Sequence, residues 1–248
     1  MSRYSPSSST IQFGPGPITS AVRAIIIANA ALFLPSFFAA AFMQEYFGLV
    51  PLHVLTQGWI WQIVTYLFVH ADIVHVLFNM LIVWMFGVDL ERRWGARAFT
   101  KFYFICGIGA GLTVLAVSLL PFAQAHDIYV ASTIGASGAC YGLLMAWAVL
   151  FPTREILLFF LFPMQARYAV LIFGAIAFFS GLSSGGGTIA HFAHLGGLVA
   201  GYVYLKGARG LRYSAQSAIT RWRFARAKRR FRVHDGGKPG TKGGWNVH

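Results

Sequence analysis

Apolar residues in this chain come in long runs that are hydrophobic on every side, with no polar stripe recurring at helical spacing. Six runs can be marked, at roughly 21–43, 73–90, 98–120, 135–151, 167–182 and 189–206. A helix of a soluble bundle needs a polar face toward water, so segments of this kind need lipid around them. A crossing takes about 20 residues at a rise of 1.5 Å each, and each must be helical because a free backbone has no hydrogen-bond partner in hydrocarbon. The pattern therefore predicts an all-α polytopic membrane protein, a bundle of six transmembrane helices. Several runs are short for a full crossing, which suits helices that begin below the surface, beneath a water-filled cavity.

The polar positions between the runs give the orientation. Residues 44–72, 121–134 and 183–188 contain no Lys or Arg, whereas the alternate connections carry Arg92, Arg93, Arg97 and Lys101, then Arg154 and Arg167, then a basic tail. Basic residues stay on the cytoplasmic side, so both termini are expected there. The first external loop, 44–72, holds Tyr46, Phe47, Trp59, Trp61 and Tyr66, a composition that suits an interfacial or re-entrant segment at headgroup depth. Residues 1–20, rich in Ser, Pro and Gly, have the composition of a disordered cytoplasmic tail and not of a cleavable leader. The first run then acts as an uncleaved anchor, 21–207 form the membrane domain, and 208–248 form a basic cytoplasmic tail.

Composition agrees: 57% of the 248 residues are hydrophobic and 11% charged, against about a quarter charged in soluble domains. A net charge of +13 would fit nucleic acid if it were spread over a folded surface, but 12 of the 20 Lys and Arg lie from Lys206 onward. A basic segment placed there is drawn to anionic lipid headgroups, and nucleic acid is not an expected partner. Cys106 and Cys140 lie inside apolar runs and offer neither a disulfide framework nor a CxxC metal pattern.

Polar residues inside spans are costly and invite a functional explanation. The fourth run opens with Gly135-Ala136-Ser137-Gly138, the sixth contains Ala193-His194 followed by Gly197 and Gly201, and the second contains His75 and Asn79. Gly138 and Gly142, like Gly197 and Gly201, are four apart and form a smooth groove on one helix face, where backbones can approach closely. Docking the grooves levels Gly138 with Gly197 and brings Ser137 near His194. A serine needs a base to take its proton, and histidine is the usual one. Ser137 also opens its helix, where free N–H groups stabilise developing negative charge, and His75 with Asn79, at i and i+4, can aim two donors at the same oxyanion. The alternative is that the glycines only pack helices and that His75 and Asn79 only bond between them. None of the seven Asp and Glu lies in the fourth, fifth or sixth run, so the economical arrangement is a Ser–His dyad with no carboxylate. Tyr141, one turn beyond Ser137, can hold the imidazole by stacking.

These motifs, GxSG at Gly135–Gly138, AHxxGxxxG from Ala193 to Gly201 and HxxxN at His75 and Asn79 with His70 upstream, resemble the rhomboid intramembrane proteases over roughly residues 40–205. The order resembles the basic six-span bacterial form, which implies a multi-pass protein of the plasma (bacterial inner) membrane. The resemblance implies Ser137 as nucleophile, His194 as base, and His75, Asn79 and the Ser137 N–H as oxyanion donors. It also implies Tyr141 stacking on the histidine and Glu91, Arg93 and Gly95 as a structural turn. Substrates would be single-span membrane proteins cut near the outer face, with no metal or cofactor. The first loop departs from the pattern, reading Trp61-Gln62 where many relatives carry Trp-Arg.

Two rivals remain open from the residues. His70, His75, His191 and His194 could serve a metal or haem, although no HExxH is present. A transporter, or a scaffold that binds transmembrane helices without cutting them, is the other. The flexible composition of 181–187 suggests that the fifth run and its loop gate access to the site.

Overall fold

A computed structural model of the protein describes residues 15–121, 125–158, 162–182 and 190–207. Up to Leu205 they belong to one compact unit; the chain from Lys206 onward is a second, of which only 206 and 207 are described. The helices are α1 (Ser20–Phe47), α2 (Pro51–Gln57), α3 (Gln62–Thr65), α4 (Ile73–Trp94), α5 (Ala96–Ser118), α6 (Ala125–Val130), α7 (Ser137–Leu150), α8 (Ala166–Leu182) and α9 (190–207). A 3-10 turn, Tyr66–Phe68, follows α3.

Each of the six runs is a helix. By length and composition α1, α4 and α5 are able to cross a membrane, while α7 and α8 are apolar but shorter. With 14 residues, α7 rises about 21 Å, well short of a hydrocarbon core of about 30 Å. When its last residue reaches one face of the core, Ser137 at its start is still inside the other.

Three details add to or differ from the expectations. The connection between α7 and α8 carries a hairpin: β1 (Glu155–Leu158) pairs antiparallel with β2 (Phe162–Gln165), from Glu155↔Gln165 to Leu158↔Phe162. An apolar stretch too short for a span reads ambiguously in sequence, and here it pairs with itself. Within the segment expected as a disordered tail to residue 20, the described residues 15–17 make defined contacts: Arg92 donates to the Pro15 and Pro17 carbonyls, and Trp84 Nε1 to that of Gly16. Tyr66, grouped with the interfacial aromatics, is fully buried, its hydroxyl donating to the Gly107 carbonyl at 2.6 Å.

Polar groups hold the bundle where its helices end. The first N–H groups of a helix lack intrahelical partners, and those of α1 are taken by Glu91 from α4. The Glu91 carboxylate accepts from Thr19 Oγ1 and Ser20 Oγ, and from the backbone N–H groups of Ala21 and Val22 at 2.9 Å each. α4 then ends at Gly95, whose φ of 81° lies in the region glycine adopts freely. Within α1, Pro35 supplies no amide hydrogen, and Ala39 leaves helical dihedrals (φ −141°, ψ 45°), so the helix is kinked.

The first external loop is built onto the other end of α1. Gln62 is fully buried; its Nε2 donates to the Glu45 carbonyl at 2.7 Å and its Oε1 accepts from Val50 N at 3.0 Å. Trp61 Nε1 donates to the Tyr46 carbonyl and Thr65 Oγ1 to that of Phe47. Carbonyls orphaned by the helix end are thus met by side chains from α3 and the residue before it. The partly exposed rings of Tyr46, Trp59 and Trp61 stack at 5.2 and 5.6 Å between centroids.

Candidate active site

The site begins with a turn that only glycine fits easily. Gly135 has φ 107°, and a Cβ placed on it would meet His75 Nε2 at 2.6 Å and Asn79 Nδ2 at 3.5 Å. The turn is fixed from below by Gly135 N donating to the Tyr66 carbonyl. Just upstream, Leu49 and Thr133 exchange backbone bonds of 2.9 Å, and Ser132 Oγ donates to the Gln44 carbonyl. The sharp turn delivers Ser137 as the first residue of α7, where N–H groups of the opening turn have no intrahelical acceptor.

Helix α9 brings the imidazole. A Cβ on Gly197 would overlap the Gly138 carbonyl, and one on Gly201 would stand 3.2 Å from Gly142 Cα, so the two glycine grooves face each other. In this register His194 Nε2 lies 2.9 Å from Ser137 Oγ. A neutral imidazole has one donor and one acceptor nitrogen; for Nε2 to accept the serine hydrogen, Nδ1 must carry the proton. Tyr141 holds the ring, stacked at 4.2 Å with planes 8° apart. The side chains of Ser137 and His194 are half-buried, within reach of a substrate.

A third helix, which the glycine motifs do not single out, completes the seam. On α5, Ala110 lies where a Cβ on Gly138 would meet it at 2.5 Å, and its Cα lies 3.0 Å from the same position on Gly196. Cys106 meets Gly142 in the same way, and Gly109 lies against Ala200. The signal was present as the small residues Cys106, Gly107, Gly109, Ala110 and Gly111 in the third run, a spacing that allows close approach on more than one face.

Across from the Ser137–His194 pair, His75 and Asn79 of α4 face Gly135. Asn79 is buried, 4% exposed, and its Nδ2 has no hydrogen-bond partner among the described residues. His75 N donates to Asp72, which caps α4. His70 was noted only for its spacing; it is buried, its ring is edge-on to that of His75 at 4.9 Å, and it approaches Ala136 N at 3.5 Å. The four histidines weighed as metal ligands stand as two pairs, His70 with His75 and His191 with His194 (6.1 Å between centroids). Among the described residues no three His, Cys, Asp or Glu side chains gather as a metal site requires. The suggested gate at 181–187 falls largely, and the basic tail from 208 wholly, outside the described residues.

A model of the Rhomboid domain matches residues 57–209, a span that contains every site residue above. The chain is 32% identical over 164 residues to Rhomboid protein 1, mitochondrial, of Saccharomyces cerevisiae, covering 66% of this chain and 45% of that one. It is 29% identical over 156 residues to Rhomboid protease GluP of Bacillus subtilis (63% and 27%). It is 28% identical over 150 residues to RHOMBOID-like protein 6, mitochondrial, of Arabidopsis thaliana (57% and 41%). The chain spans between about a quarter and a half of the length of these curated relatives.

Proposed function

This chain belongs to the rhomboid family, and from that premise we propose that it is an intramembrane serine endopeptidase working through a Ser137–His194 dyad. The observation that carries the reading is the 2.9 Å contact between Ser137 Oγ and His194 Nε2 at the start of α7. In the reaction, Ser137 Oγ attacks the scissile carbonyl carbon and its proton passes to His194 Nε2. The carbonyl oxygen becomes an oxyanion and is met by donors already in place: Asn79 Nδ2, the His75 ring and the N–H groups opening α7. Collapse of this intermediate breaks the C–N bond, and His194 returns the proton to the leaving amine. Water, deprotonated by the same imidazole, then releases the acyl group and restores Ser137. Tyr141 keeps the ring plane fixed through both halves, the orienting part of what a carboxylate does in a triad.

The substrates in this reading are single-span membrane proteins, cut near the outer face, where the short α7 leaves the nucleophile. Residues 21–207 form the protease domain, and both termini lie on the basic, cytoplasmic side of a plasma (bacterial inner) membrane. The basic tail from 208 meets anionic headgroups there.

The test is cleavage of a generic single-span substrate by the full-length protein in liposomes. Wild type should cut it once near the outer end, and Ser137→Ala and His194→Ala should each lose at least about 10³-fold in rate. Equal cleavage by all three refutes the proposal.

A further inference from the structure

His70 sits between the 3-10 turn Tyr66–Phe68 and α4, and only 1% of it is exposed. A buried ring nitrogen needs a partner, and here each of the two faces a backbone group with a single role. Nδ1 lies 3.4 Å from the Phe68 carbonyl oxygen, which can only accept. Nε2 lies 3.5 Å from the Ala136 backbone nitrogen, whose N–H can only donate. One state of the ring answers both: neutral, with its hydrogen on Nδ1. Turned over, the ring would set C–H groups against both partners. With hydrogen on Nε2, two N–H groups would face each other. A charged ring fails in the same way, and burial, helped by the neighbouring His75, holds the His70 pKa down to about 4.

Each bond is long and weak, but the two close on one rigid ring, and what they hold bears on the reaction. Ala136 precedes Ser137 and caps α7. It is fully buried, and among the described residues its N–H has no backbone acceptor. Without His70 the turn would carry an unmet buried N–H immediately before the nucleophile. The His70 ring also meets that of His75 edge-on, with 4.9 Å between centroids and planes 72° apart. His75 Nε2 faces Gly135, so the same ring limits how far this oxyanion donor can swing. The amides of the turn are thereby divided: that of Ala136 is taken by His70, and Ser137 is the first left for the oxyanion.

We propose that His70 is a positioning residue, its Nδ1–H ring joining the Phe68 carbonyl to the Ala136 amide and so setting the turn that presents Ser137, with His75 seated against it. The inference rests on the endopeptidase reading above and adds to it a residue that acts through Ala136 and His75 and never touches substrate.

The first measurement needs no variant: histidine nitrogen NMR of the full-length protein in liposomes at neutral pH, with His70 assigned sequentially through Val69 and Ala71. Its ring should be neutral and protonated on Nδ1. A ring protonated on Nε2, or charged, overturns the proposal even if every variant folds poorly. Kinetics on a single-span substrate then compare wild type, His70→Phe, His70→Asn, His70→Gln and Ser137→Ala, with thermal midpoints alongside. His70→Phe fills the space without an acceptor and should lower kcat about tenfold, with KM within about twofold. His70→Asn, whose amide reaches only as far as Nδ1, should fall with it. His70→Gln, which carries an oxygen toward the position of Nε2, should recover most of the loss. Wild-type kcat in His70→Phe, or no recovery in a folded His70→Gln, overturns the role of His70 and leaves the protease standing. Undiminished cleavage by Ser137→Ala removes both.

Discussion

Two polar clusters interrupt the apolar interior of this bundle, one at each end of α4, and they differ in how far their hydrogen bonds are met. At the C-terminal end of α4, Glu91 takes four donors from Thr19, Ser20, Ala21 and Val22, and the carboxylate and the first turn of α1 satisfy each other. At the opposite end, Asn79 Nδ2 and His194 Nδ1 are buried without a partner among the described residues, although their neighbours are well fixed. An unmet buried group costs about 1–3 kcal/mol, so the second cluster is held in place by its surroundings, by the glycine seam and the turn at Gly135. A satisfied cluster stabilises the fold; an unsatisfied one held rigid is available to a reaction intermediate.

The contrast makes opposite predictions for the two ends. Glu91→Ala leaves two backbone N–H groups and two hydroxyls without their acceptor, and should cost on the order of 4 kcal/mol of stability, read as a lowered unfolding midpoint in detergent. The turnover of the molecules that remain folded should stay near wild type. Asn79→Ala should do the reverse, lowering kcat about 10²–10³-fold, as loss of one oxyanion donor does, with a midpoint little changed. Glu91→Gln, which keeps an acceptor and the shape, should show the smallest effect, about 1–2 kcal/mol in stability. If Glu91 variants lose turnover without losing stability, or if Asn79→Ala unfolds, the division between the two ends is wrong.

Much of the architecture was legible because lipid imposes its demand directly on sequence: six runs apolar all round became six helices, within a few residues at most ends. The facing of Gly138 with Gly197 was legible too, since spacing of four on two parallel helices leaves few ways to pack. What stayed hidden has physical causes. A helix apolar on every side carries no signal of its rotation, so the part played by α5 through Ala110 and Cys106 could not be phased. Tyr66 reads as interfacial from its place in an aromatic loop, whereas its hydroxyl reaches Gly107 in the core. Gln62 stands in the sequence only as a departure from the Trp-Arg pattern, yet a neutral amide is what buried contact with the Glu45 and Val50 backbone requires, one end donating and the other accepting. Residues 15–17 read as tail because their contacts are made by carbonyls, which every sequence has.

Activation of Ser137 by His194 is read out by covalent labelling of the full-length protein in liposomes with a fluorophosphonate serine-hydrolase probe, followed by peptide mapping. A single adduct is expected on Ser137, absent from Ser137→Ala and slowed at least about 10²-fold in His194→Ala. Labelling that survives Ser137→Ala, or proceeds at the wild-type rate without the imidazole, would contradict it.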